Sequence, residues 1–90
     1  FSTRYGYFEA RMKMPNGKAR GTDSSFFLFS EDAAWPPEID VVEYAGVTEG
    51  KTILQNLHFK TATGRDSRMH HPTPPGGGSF ADTWHVYGMR

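Results

Sequence analysis

Glu38, Asp40 and Glu43 fall within the stretch Glu38-Ile39-Asp40-Val41-Val42-Glu43, directly after Trp35-Pro36-Pro37. Carboxylates held this close repel one another when ionised, so at least one is expected to keep its proton to unusually high pH. An ionised carboxylate can attack an electrophilic carbon, and a neighbour that stays protonated can hand a proton to the leaving group. That division of labour between two carboxyl groups is the one that breaks glycosidic bonds. The alternative is a solvated acidic edge, where the charges only deter strand-to-strand aggregation.

The intervening Ile39, Val41 and Val42 favour a pleated, half-buried strand. Strict alternation puts Glu38, Asp40 and Val42 on one face and turns Glu43 towards the core, where an unpaired charge is costly. A one-residue bulge at Val41-Val42 restores Glu43 to the face of the other two carboxylates. At ~3.3 Å per residue, with one residue absorbed by the bulge, the two glutamate Cα atoms lie about 13 Å apart. Side chains reaching towards each other then leave a carboxyl gap of about 5–6 Å. This lies near the ~5–5.5 Å of retaining glycosidases and below the ~6.5–9.5 Å of inverting ones. Asp40, between the two, is expected to hydrogen-bond one of them.

The positioning elements read as strands. From Tyr5 to Met14, Phe8, Ala10, Met12 and Met14 share one side and Tyr7, Glu9, Arg11 and Lys13 the other, a period of two. A turn is expected at Pro15-Asn16-Gly17-Lys18. A second strand runs from Ser24 to Ser30, with Phe26 and Leu28 alternating against Phe27 and Phe29. Residues 31–37 read as a loop, Glu38 to Tyr44 as the third strand, and Ile53 to Lys60 as the fourth, with Asn56 and His58 on its polar side. Residues 61–81 lack a period, and the run from Pro72 to Gly78 reads as a flexible surface loop. Thr83 to Met89 is expected as a fifth strand, with Trp84 and Val86 packed inward and His85 and Tyr87 at the cleft or the surface. No helix or internal repeat is evident. Five short strands at close intervals predict an all-β fold, an antiparallel sandwich or barrel.

Ten basic residues balance ten acidic ones, so no net field points to nucleic acid or to an anionic membrane, and neither is expected as a partner. No apolar run approaches membrane-spanning length. The chain has no cysteine, so disulfides say nothing about its compartment. It opens on Phe1 in a strand pattern and stops at Arg90 in another, and sandwiches often need about 200–250 residues. Residues 1–90 are therefore expected to be the central segment of one catalytic domain, truncated at both ends. Alone, such a segment is expected to fold weakly or aggregate.

Four stretches in order carry a resemblance. The run from Arg4 to Lys13, the run from Trp35 to Tyr44, Asn56-Leu57-His58, and the run from Trp84 to Gly88 together resemble glycoside hydrolase family 16, the laminarinase-like β-glucanase family. The resemblance implies a β-jelly roll with a long concave cleft and endo-acting, retaining hydrolysis of β-glucan, β-1,3 or mixed β-1,3/1,4. It implies Glu38 as nucleophile, Glu43 as general acid and then base, and Asp40 as the assisting carboxylate. One stretch departs from it. Where laminarinase-like members carry Gly-x-Trp-Pro-Ala-Phe-Trp-Leu, this chain has Gly21-Thr22-Asp23-Ser24-Ser25-Phe26-Phe27-Leu28, so both tryptophans are replaced, at Asp23 and Phe27. The Ser-Ser-Phe-Phe run is closer to lichenase-like branches.

Trp35 and Phe27 are candidates for stacking on sugar rings, and Asn56 and His58 for polar contacts in the cleft. Against this, Trp35 also fits a hydrophobic lid and His58 a surface histidine. His58, His70, His71 and His85 match no closed zinc-site spacing, so no catalytic metal and no cofactor are expected. The expected partner is a polysaccharide; a monomeric, secreted protein is expected by analogy with the family. A transglycosylase on the same scaffold and a non-catalytic glycan-binding module are the rival functions. Binders can dispense with the acidic pair that this chain keeps.

Overall fold

A computed structural model describes residues 1–16 and 21–90. Among these residues six strands form: β1 (Phe8–Met12), β2 (Asp23–Phe29), β3 (Glu38–Ala45), β4 (Leu54–Thr61), β5 (Gly64–His70) and β6 (His85–Met89). Single 3-10 turns occupy Gly46–Thr48 and Pro75–Gly77. Every pairing is antiparallel, giving a two-stranded sheet β1-β6 and a four-stranded sheet β2-β3-β4-β5. The chain is all-β, with the layering of a partial jelly-roll sandwich. Among the described residues no helix is long and apolar enough to cross a membrane.

Hydrophobic alternation explains β1 and β2. Phe8, Ala10 and Met12 are half-buried while Glu9 and Arg11 are exposed, and Met14, just beyond the strand, is fully buried. In β2, Phe26 and Leu28 turn inward while Phe27 and Phe29 stay exposed. The core joins the two sheets: Val41, Val42 and Tyr44 of β3 pack with Met14, Ile53, Phe80, Ala81 and Tyr87. The turn expected at Pro15–Lys18 lies, at Gly17 and Lys18, outside the described residues.

Two expectations change. Residues 64–70, read as loop, form β5 in full ladder with β4, from Gln55↔His70 to Thr61↔Gly64. Only Ser67 of this strand is even half-buried. A charged strand at a sheet edge carries no hydrophobic alternation, which is the signal that period-reading needs. Ala62 and Thr63 close the hairpin, with the Thr63 N–H donating to Thr61 Oγ1 at 3.3 Å. The proline-rich run beyond it is irregular, as expected, and the Pro72 carbonyl accepts from Thr52 Oγ1 at 3.2 Å.

The faces of β6 are also opposite to expectation. Trp84 (just before the strand) and Val86 are exposed, at 56% and 60%, whereas Tyr87 is buried at 4%. Pairing decides this: Ala10 lies opposite Tyr87 and Met12 opposite His85. Directly opposed residues point to the same side of a sheet, so the inward face of β1 draws Tyr87 and His85 inward. Phe80 packs beneath both, with ring centroids 5.2 Å from His85 and 6.1 Å from Tyr87. On the outer face, the Arg11 guanidinium covers the Trp84 ring at 4.8 Å.

Candidate active site

Residue pairing across β3 fixes which way its carboxylates point. Towards β2, Phe29 opposes Glu38, Phe27 opposes Asp40 and Ser25 opposes Glu43, with the register shifting between Phe26 and Phe27. Towards β4, His58 opposes Glu38, Asn56 opposes Asp40 and Leu54 opposes Glu43, with a shift between Asp40 and Glu43. Both ladders therefore place one extra residue of β3 at Val41-Val42, and both valines are fully buried. The bulge lets two consecutive apolar residues enter the core while Glu43 keeps the face of Glu38 and Asp40. Ser25, Phe27, Phe29, Asn56 and His58 share that face.

Hydrogen bonds hold the face together. The Trp35 indole N–H donates to Glu38 Oε2 at 2.7 Å. His58 Nε2 lies 3.3 Å from Asp40 Oδ2 and 2.9 Å from Asn56 Nδ2. The Trp35 and His58 rings meet at 5.3 Å between centroids, tilted by 51°. Asp40 and Asn56 are buried, at 2% and 5% exposure, in contrast to Phe27 at 49%. Donor atoms of Glu38, Asp40 and His58 all lie within 4.8 Å of one another. Their oxygen and nitrogen chemistry would suit a divalent cation, and equally a proton shared among carboxylates. A cavity of ≈ 940 Å³ sits along β2 and is lined by Phe8, Phe27, Phe29 and Glu38 among others; neither Asp40 nor Glu43 lines it.

Proton affinities on this face are uneven. Burial, more than any other influence, pushes the Asp40 carboxyl up to about 6; the charges of Glu43 and Glu38 and a hydrogen bond with Glu38 add to the rise, and His58 opposes it. Glu43 is also raised, first by burial, then by the charges of Asp23 and Glu38, again opposed by His58. The mutual repulsion expected from the sequence is present, but burial is the larger cause. The larger rise falls on Asp40, the middle carboxyl.

This has a consequence for stability. With its folded value at about 6 and its unfolded reference at 3.8, Asp40 holds a proton in the folded state at pH values where the unfolded chain has released it. Its contribution is therefore fully present below the unfolded value and is lost as pH rises through about 6. Asp40→Asn carries no such loss. The variant is expected to match the wild type at about pH 4 and to exceed it by up to about 3 kcal/mol at about pH 8. Melting curves at both pH values check this; parallel pH profiles for the two proteins would contradict it.

Every residue singled out in the sequence for the site, namely Glu38, Asp40, Glu43, Trp35, Phe27, Asn56 and His58, lies on this face or at its rim. Two neighbours were not singled out. Phe29, exposed at 46%, stands opposite Glu38 and was legible as the next outward position after Phe27. Arg65, whose guanidinium lies 5.0 Å from the Trp35 ring centre, had no signal, because its strand carries no apolar alternation.

An acidic face with uneven proton affinities, set on an antiparallel β-sandwich, is the arrangement of a sandwich-type glycoside hydrolase. The profile of glycosyl hydrolases family 16 matches residues 1–90, and the chain belongs to that family. It is 39% identical over 67 residues to endo-1,3-1,4-beta-glycanase ExsH of Rhizobium meliloti (strain 1021), covering 74% of this chain and 14% of that protein. To endo-1,3-1,4-beta-glycanase EglC of the same organism it is 41% identical over 58 residues, covering 64% of this chain and 12% of that protein. To the beta-glucanase of Fibrobacter succinogenes (strain ATCC 19169 / S85) it is 36% identical over 91 residues, covering 97% of this chain and 25% of that protein. The chain thus spans a quarter or less of the length of these relatives. No solved structure matches it significantly.

Proposed function

We propose that this chain carries the catalytic strand of an endo-acting β-glucanase that cleaves β-1,3 or mixed β-1,3/1,4 linkages with retention of configuration. The observation that carries the reading is the bulge at Val41-Val42, which keeps Glu38, Asp40 and Glu43 on one face. Its similarity to two endo-1,3-1,4-beta-glycanases and a beta-glucanase supports the substrate class.

In the first step a Glu38 carboxylate oxygen forms a bond to the anomeric carbon as the glycosidic C–O bond breaks. The departing oxygen takes its proton from Glu43. In the second step Glu43, now ionised, removes a proton from water; the water oxygen attacks the anomeric carbon and the bond to Glu38 breaks. The raised proton affinity of Glu43 suits the first step, because the acid must still hold its proton when the leaving group departs. Asp40, between the glutamates and bonded to Glu38, holds the proton that keeps their mutual repulsion down. Phe27 offers an exposed ring to a sugar face, and Asn56 and His58 give the floor of the cleft its polar contacts. Secretion belongs to the same proposal, because a polysaccharide substrate is met outside the cell.

The test is proton NMR of the earliest products from laminarin and lichenan, using the intact protein. Retention predicts that the β-anomer of the new reducing end forms first and mutarotates later. Initial release of the α-anomer would overturn the double displacement. Added oligosaccharide acceptors separate hydrolysis from transglycosylation, since longer products accumulate only in the second case.

A further inference from the structure

The sequence offers Trp35 as a sugar platform, yet the structure gives its polar edge and one ring face to the protein itself. The indole N–H donates to Glu38 Oε2 at 2.7 Å, and the Arg65 guanidinium lies over the ring at 5.0 Å. We propose that Trp35 is a positioning residue for the nucleophile, and that Arg65 holds the indole in the place from which it acts. This rests on the reading of Glu38 as nucleophile.

The need for such a device follows from the side chain. The terminal torsion of a glutamate is broad rather than staggered, so an unrestrained carboxylate turns away from the line of attack much of the time. A donor fixed in space limits that rotation, and misplacing a reacting group by about 1 Å can cost up to about 10²-fold in rate. Indole is a rigid donor governed by two side-chain torsions. Pro36 and Pro37 separate Trp35 from Glu38, and each ring fixes one backbone φ angle, so anchor and nucleophile stand on a stiff connection.

The far side of the clamp comes from the β4-β5 hairpin. Its register sets Arg65 opposite Lys60, on the side of the sheet that also carries Asn56 and His58. A guanidinium stacks flat on an aromatic face and stays charged at any working pH. Among the described residues Arg65 forms no ion pair, which leaves its charge to the indole face. The hairpin that sequence patterning does not reveal thus supplies the residue that steadies the catalytic strand.

The experiment uses the intact protein and an activated aryl β-oligoglucoside, reading the pre-steady-state rate of glycosyl-enzyme formation and KM separately. Trp35→Phe keeps a ring but removes the N–H. It is expected to slow glycosyl-enzyme formation about 10- to 100-fold while KM stays within about twofold. Arg65→Ala is expected to slow the same step by a smaller factor, and Arg65→Lys, which keeps a cation over the ring, to recover part of the loss. Wild-type rates in Trp35→Phe, with Trp35→Ala raising KM, would make Trp35 a sugar platform and overturn the proposal. Should Trp35→Phe fail to melt cooperatively, the Arg65 pair decides: a wild-type rate in Arg65→Ala overturns the proposal. Glu38→Ala is assayed alongside. Activity retained there sinks the reading of the nucleophile itself, a result distinct from failure of the clamp alone.

Discussion

Replacing Glu38 by alanine is expected to lower turnover of β-glucan in the intact protein by roughly 10⁴-fold or more, the scale of loss when the covalent nucleophile of a hydrolase is removed. On the proposed mechanism the substitution takes away the atom that bonds to the anomeric carbon, and neighbouring Asp40 is poorly placed to replace it. Asp40 is buried at 2% exposure and paired with His58 at 3.3 Å. Stability should not fall with activity. The Glu38 charge is one of the influences that raise the proton affinities of Asp40 and Glu43, so its removal relieves repulsion on a crowded face. An inactive protein that melts at or above the wild-type temperature is the expected pair of results. Activity within a few-fold of wild type would remove Glu38 from the mechanism.

Glu43→Gln carries the second large effect, and it depends on the leaving group. Departure of a sugar alkoxide needs a proton, and losing a positioned general acid costs about 10²–10⁴-fold. A dinitrophenolate leaves unaided, so glycosyl-enzyme formation from a dinitrophenyl glycoside is expected to be nearly unaffected. Hydrolysis of that intermediate still needs a base, so it should accumulate. The sign of the pH effect follows from the raised affinity of Glu43. The acid works only while protonated, so the wild-type rate falls as pH rises through the Glu43 value. Comparing the pH profiles of Glu43→Gln and Asp40→Asn separates the two carboxyls. If the alkaline fall survives in Glu43→Gln and vanishes in Asp40→Asn, the proton donor is Asp40. Equal losses on glucan and dinitrophenyl substrates would likewise contradict the assignment to Glu43.

The elements that position this site were legible where burial is one-sided. β1 and β2 alternate so regularly that their inward residues, Ala10, Met12, Phe26 and Leu28, could be named from the sequence. The bulge was legible for a different reason. Adjacent Val41 and Val42 break the alternation just where Glu43 would otherwise face the core, and only an extra residue satisfies both. β5 was hidden because its residues are polar or charged on both faces, and Arg65 was hidden with it. The inward side of β6 was misread because Trp84-His85-Val86-Tyr87 offers an aromatic residue to each face. Only the register against Ala10 and Met12 decides between them, and that is a non-local fact. The raised affinity of Asp40 was half legible: repulsion follows from spacing, but its leading cause, burial under the sandwich, is a property of the assembled fold.

The most direct test is to trap the covalent intermediate. A 2-deoxy-2-fluoro β-oligoglucoside with a dinitrophenyl leaving group slows the second step more than the first, so the glycosyl-enzyme persists long enough for digestion and mass spectrometry. A double displacement at Glu38 predicts one added fluorosugar per molecule, on the peptide containing residues 38–43, with fragmentation placing it on Glu38. A label on Glu43 or Asp40, or turnover without any covalent adduct, would contradict the account.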